Sequence, residues 1–180
     1  MKTLALILIA AVSAPAFAAD YSVADGSKLG FSGSFQGASF DGEFTRFNAT
    51  ISYDPANLAA SKFDVTVEPD SVSSGDGDRD GTLPGKDFFN TKAFPTAHFV
   101  STGFRQSGSE VIADGTLTIK GTTKPVSLKV TFAAAGSGAT LGVTTTLNRL
   151  DYKIGEGEYA DTGTIGAEVK VKADLKLVAK

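Results

Sequence analysis

Toward the C-terminus the chain alternates between apolar and polar residues with a period of two. Ile165, Ala167, Val169, Val171, Ala173, Leu175 and Leu177 are apolar, and Glu168, Lys170, Lys172, Asp174 and Lys176 lie between them. Successive side chains of an extended chain point to opposite faces, so this spacing predicts a long strand with one buried and one wet face. Phe63, Val65 and Val67 against Lys62, Asp64, Thr66 and Glu68 repeat it, as do Val126, Leu128, Val130 and Phe132 against Ser127, Lys129 and Thr131. Weaker versions run through Lys28 to Phe35, Phe40 to Tyr53, Ala97 to Arg105, Val111 to Lys120 and Thr140 to Arg149.

The count is eight strands, divided by turn chemistry such as Asp54-Pro55, Ser107-Gly108, Gly121-Thr122 and Gly136-Ser137-Gly138. Connections this short favour antiparallel neighbours. The segment Asp70 to Pro95 is too long for a hairpin and predicts short helical turns around Lys86 to Lys92. Lys124-Pro125 reads as the entry to a strand, where proline costs no ladder donor. A one-sided antiparallel sheet must cover its apolar face by closing or by sandwiching. Eight strands that close leave an interior able to hold one small ligand. The expected fold is therefore all-β, an eight-stranded antiparallel barrel, preferred over a sandwich.

Alternation alone does not say which face points inward, and a membrane-spanning barrel would invert it. Trp is absent, Tyr is scarce, and Phe sits within strands rather than in girdles at both ends. A soluble barrel without stable membrane insertion is the expectation.

The N-terminus changes the picture of where the barrel works. Lys2 gives a basic start, Leu4 to Val12 is apolar, and Ala16-Phe17-Ala18 is a small-x-small cleavage signal. That combination reads as a secretory signal peptide over residues 1–18, with an apolar core too short to span a bilayer. The domain then runs over 19–180, and the expected location is the periplasm. Removing Lys2 takes the formal net charge from −3 to −4, so neither nucleic acid nor an anionic surface is an expected partner. Cysteine is absent, which excludes disulfides, thiol chemistry and cysteine-held metals.

Three ordered stretches carry a resemblance. The first is Asp70-Ser71-Val72-Ser73-Ser74, Arg79-Asp80, Leu83, Asp87-Phe88-Phe89, Phe94-Pro95 and Phe99. The second is Gly115 to Gly121 leading into Thr122-Thr123-Lys124-Pro125-Val126, and the third is Asn148-Arg149-Leu150-Asp151-Tyr152 with Gly155 and Glu158-Tyr159-Ala160-Asp161. Together they resemble the YceI family across essentially the whole mature chain. Ser74 to Asp78 departs from the family pattern, and Tyr152-Lys153 stands where an aromatic-Gly pair is common. The resemblance implies an exported, lipocalin-like eight-stranded barrel holding a long amphiphile, a polyisoprenoid such as a quinone or prenyl phenol. It implies no cofactor and no catalytic residues.

Residue chemistry runs parallel to that implication. All Phe but Phe17 lie in the mature chain, and the expected lining is Phe40, Phe44, Phe63, Phe88, Phe89, Phe94, Phe99, Leu117, Leu147, Val169 and Val171, with Arg149 toward a polar end. Gly30 or Gly33, Ala49, Ala113, Gly115, Ala167 and Ala173 are the small inward candidates. Large and small residues alternating inside a barrel leave a channel or fit a tapered core, and the pattern does not separate the two. Adjacent Phe88 and Phe89 on a loop, with Phe94 beside them, suggest a lid across one end. Arg149 and Asp151 share a face of their strand, which offers Arg149 either a ligand head group or an ion pair with Asp80 or Asp87.

Asp76, Asp78, Asp80 and Asp87, with Gly81, fall at the spacing of a calcium loop. A strand rather than a helix precedes them, Pro84 occupies a ligand position, and the expectation is a solvated acidic turn with no metal. His98 is the sole histidine, without partners for nucleophilic catalysis or a multi-His site, and reads as a strand residue. Three functions remain open: a periplasmic carrier of a lipid-like molecule, an enzyme acting on one, or a stress-related structural protein with a filled barrel. The expected partner is a long-chain amphiphile, and a homodimer is left open.

Overall fold

A computed structural model describes residues 18–180. The signal sequence, apart from Ala18, lies outside them. Within the described residues eleven strands form one antiparallel sheet that closes on itself. They are β1 (Ala19–Val23), β2 (Lys28–Phe35), β3 (Ala38–Phe44), β4 (Phe47–Tyr53), β5 (Lys62–Val67), β6 (Val72–Ser73), β7 (Ala97–Ser107), β8 (Glu110–Ile119), β9 (Thr122–Ala135), β10 (Gly138–Asn148) and β11 (Glu168–Ala179).

These make eight staves, as the alternation predicts, because three staves are each bent into two strands. β1 and β2 both pair with β11, and the bend between them falls at Gly26, whose φ of +80° suits glycine. β4 pairs with β1 and β3 with β2, so β3 and β4 form the second stave. β5 and β6 form the third, broken by a 3-10 turn at Pro69–Ser71. The staves then run in chain order to β11, and Tyr21↔Ala179 closes the ring. Successive staves pair in chain order and the last returns to the first, so the sheet needs no crossover, and ladder partners are missing only locally, at β6 and along the first half of β9.

Several boundaries move. β1 was not expected, since Ala19 to Val23 is too short to show a pattern. The helical turn is at Gly77–Thr82 (α1), not around Lys86 to Lys92, where the chain forms irregular turns. Asp76 explains the difference: its Oδ1 accepts from the N–H groups of Asp78 and Arg79, both at 3.1 Å, which caps the helix. Pro125 lies inside β9 opposite Thr116, rather than at its first residue. It is tolerated because the β9–β10 ladder ends at Lys129↔Thr144, so beyond that point one side of β9 asks for no donor.

One end of the barrel is solid. Tyr53 and Phe132 have ring centroids 4.8 Å apart, Phe63 and Phe104 4.8 Å, and Tyr21 packs edge-on against Phe132 at 5.9 Å. Ile51, Leu141, Leu175 and Leu177 surround them, all under 6% exposed. This plug closes one end and leaves the cavity to the other half of the barrel.

Candidate functional site

Above the plug the barrel holds a cavity of about 600 Å³ with an almost wholly apolar wall. Eleven of the twelve expected residues line it: Phe40, Phe44, Phe63, Phe88, Phe89, Phe99, Leu117, Leu147, Arg149, Val169 and Val171. Phe94 does not. Its ring sits where a side chain at Gly121 would be, on the outside of the β8–β9 turn, and the φ of +72° at Gly121 keeps that space free. A larger depression of about 1090 Å³ lies on the outer wall among Lys28, Asp41, Glu43, Lys129, Lys170 and Lys172. It is open to solvent and bordered by charged side chains, and cannot shelter an apolar chain from water.

The aromatic wall leaves room because rings lie flat on glycines. Phe31 covers Gly42 and Phe40 covers Gly33, each directly across the β2–β3 ladder, while Phe99 covers Gly115 diagonally. A Cβ at Gly42 or Gly115 would collide with the ring, and one at Gly33 would crowd it. Each ring therefore folds against backbone instead of standing into the lumen, a device known to stabilise strand glycines. Ala173 lines the cavity, whereas Ala49 and Ala113 belong to the packed core below. Gly30 faces the outer depression instead. Ala167 precedes β11, its carbonyl accepting from the Arg149 backbone N–H at 2.9 Å, and it is not among the residues lining the cavity.

Phe88 and Phe89 diverge across the open end. Phe88 is buried with Tyr152 and Ile154, its ring 4.9 Å from that of Tyr159. Phe89 stands edge-on to Phe44 at 5.8 Å, and Phe44 meets Phe31 at 5.3 Å. Backbone bonds from Phe88 N to Gly85 O (3.1 Å) and Phe89 N to Leu83 O (3.0 Å) set the two directions. Tyr152 and Ile154 fill the space where β9 and β10 part, packing with Val126 and Leu147. Phe31, Tyr152, Ile154 and Tyr159 line the cavity without having been among the expected lining residues. Phe31 shares the β2 alternation and was legible; the other three sit in turns without periodicity.

Arg149 is 4% exposed and meets neither Asp80 nor Asp87. All five of its N–H donors go to main-chain carbonyls: Nε to Gly166 (3.1 Å), Nη1 to Ile154 (2.8 Å) and Gly155 (2.9 Å), Nη2 to Tyr159 (2.8 Å) and Ile165 (2.8 Å). With no carboxylate beside it, burial draws its pKa below the ordinary value. The guanidinium ties the β10–β11 connection together and has no donor left for a ligand. Lys120 buttresses the same loop, its Nζ donating to Lys153 O at 2.6 Å and Glu156 Oε2 at 3.2 Å.

Two carboxylates of the acidic loop, those of Asp76 and Asp80, are spent within it. Besides the Asp76 cap, Asp80 accepts from the Ser74 hydroxyl at 2.6 Å and the Ser74 N–H at 2.9 Å. These bonds hold the Asp80 carboxyl below the usual carboxylate range. Arg79, between them, lies over the Phe40 ring, Cζ 3.9 Å from its centroid. His98 sits on the outside of β7 with Nε2 2.7 Å from Asp64 Oδ1. Among the described residues no helix is long and apolar enough to cross a membrane.

Known proteins share this architecture. The chain is 39% identical over 95 residues to Protein YceI of Escherichia coli O157:H7, a stretch that is 53% of this chain and 50% of that one. It thus spans about half the length of the curated relatives it first matches. The solved structure of Burkholderia cenocepacia BcnA superposes with a TM-score of 0.80 at 31% identity, covering 83% of this chain and 95% of that one. A polyisoprenoid binding domain from Saccharophagus degradans, implicated in plant cell wall breakdown, shares the fold with a TM-score of 0.67 at 17% identity, over 91% and 99%. The YceI-like domain pattern matches residues 21–177, and with it the chain belongs to the YceI-like domain family.

Proposed function

We propose that the protein is a periplasmic binding protein and carrier for a long-chain amphiphile, a polyisoprenoid held tail-down inside the barrel. The observation that carries this reading is the closed-bottomed apolar cavity of about 600 Å³. That space is large enough for a long hydrocarbon tail. Burial at about 0.8 kcal/mol per CH₂ over such a tail exceeds the cost of ordering it. Binding rather than turnover fits a wall of rings and aliphatic groups, whose most buried cation is saturated by backbone. The polyisoprenoid binding domain of Saccharophagus degradans, alike in fold, supports the same class of ligand. Export rests on the leader at residues 1–18.

The test is equilibrium binding of a prenylated quinone to delipidated protein, followed by quenching of the intrinsic Tyr and Phe emission. Saturable uptake at one quinone per chain supports the proposal. A straight line of non-specific uptake, unchanged when Phe88 and Phe89 are both replaced by Ala, refutes it.

A further inference from the structure

We propose that Arg79 reads the head group of the bound amphiphile and selects neutral, acceptor-bearing heads over anionic ones; the inference rests on the cavity holding an apolar tail. Arg149 and Arg79 are the arginines that line the cavity. The first is saturated, five donors to five carbonyls. The second makes a single side-chain hydrogen bond, Nη2 to Asp76 Oδ2 at 3.1 Å, and its side chain is 24% exposed. Its Nε and both hydrogens of Nη1 therefore remain for another acceptor.

The guanidinium is also held in place. It is stacked 3.9 Å above Phe40, whose own ring is pinned on Gly33 in the barrel wall. A planar fork fixed on an aromatic face loses little freedom when it donates to a ligand. A tail packed against Phe40 and Phe44 would bring its head to this fork at the mouth.

Charge around the fork decides which heads are welcome. Asp76 and Asp78 line the cavity together with Arg79, and Asp76 is already paired to it, so the local formal balance is one negative charge. A ketone or quinone oxygen accepts from Arg79 without meeting that field. A phosphate or carboxylate gains one cation and faces two anions, which is selection by repulsion as much as by attraction.

The experiment uses the delipidated mature protein and three probes that share a geranylgeranyl tail: a methyl ketone, a monophosphate and the headless hydrocarbon. Wild type should bind the ketone about tenfold more tightly than the monophosphate. Arg79→Ala should lose about tenfold for the ketone, the usual worth of a hydrogen bond from a charged donor, and leave the hydrocarbon within about twofold. Arg79→Lys, which keeps the charge and the helical stem, should fall between them and guards against a loss caused by unwinding α1. Equal ketone affinity in wild type and both variants overturns the assignment, as does tightest binding of the monophosphate by wild type. If wild type binds none of the three, including the hydrocarbon, the cavity reading fails first and this inference falls with it.

Discussion

The Arg149 guanidinium occupies the space that a side chain at Gly155 would need. A Cβ there would fall 2.5 Å from Nη1, and the φ of +72° at Gly155 is itself unfavourable for other residues. The carbonyl of the same glycine accepts from Nη1 at 2.9 Å. One turn residue thus makes room for the cation and helps to satisfy it. Arg149→Ala would leave five carbonyls without their donor, at about 1–3 kcal/mol for each one that stays buried, so a loss of at least about 3 kcal/mol is expected. Arg149→Lys should recover little, because an ammonium has three donors and no planar fork. Gly155→Ala should destabilise in the same direction. Urea denaturation of the three variants checks this, and wild-type midpoints would contradict it.

Acid should release the Asp80 anchor of the acidic loop. Asp80 has its pKa lowered by Ser74 in the folded state, so its contribution is full above the unfolded carboxylate value and is lost as pH falls through the lower, folded one. Wild type should therefore lose stability across the most acidic part of a urea-midpoint series. Asp80→Asn cannot ionise and should show a shallower fall over the same window. Parallel curves for the two proteins would contradict the assignment.

Calcium should matter little. The Asp76 carboxylate caps α1 and that of Asp80 holds Ser74, so a metal would have to displace bonds the loop already makes. A bound ion at a hundredfold excess over its Kd would add about 2.7 kcal/mol. The expected gain in melting temperature at millimolar calcium is far below that equivalent, and a rise of many degrees reversed by chelator would show a real site.

The floor of the cavity should set the length of the tail. Phe63 lines the cavity and is backed edge-on by Phe104 at 4.8 Å. Phe63→Leu should deepen the space and shift preference toward a tail longer by about one isoprene unit, at a cost in stability of about 1–2 kcal/mol. Competition among prenyl ketones of increasing length measures the shift, and an unchanged optimum would mean that the plug is not the stop.

Strand alternation made the eight staves legible because each has one face in the core and one in water. Eight of the eleven expected residues that line the cavity stand on those strands, while Phe88 and Phe89 lie on the long loop and Arg149 in the turn after β10. What escaped it lies where side chains serve the backbone. Asp76 was expected in a solvated acidic turn, and its role as a helix cap went unread because a cap and a calcium loop share the same spacing of carboxylates and tight turns. Arg149 looked like half of an ion pair because nothing in a sequence marks five converging carbonyls. Phe94 was drawn toward the cavity by its neighbours, yet the bare Gly121 gave it a nearer seat. The question of channel or filled core turned on whether rings stand up or lie on glycines, which depends on cross-strand register.

The central claim is that the cavity itself holds the tail. Ala173 lines it from the middle of β11, opposite Leu29 and Val143 in neighbouring strands, so Ala173→Phe would fill the lumen from within while leaving the mouth untouched. Native mass spectrometry of wild type and this variant, each reconstituted with a geranylgeranyl ketone and shown folded by its melting transition, measures occupancy directly. One ketone per wild-type chain and none on folded Ala173→Phe is the predicted result; equal occupancy of both would place the ligand elsewhere and contradict the account.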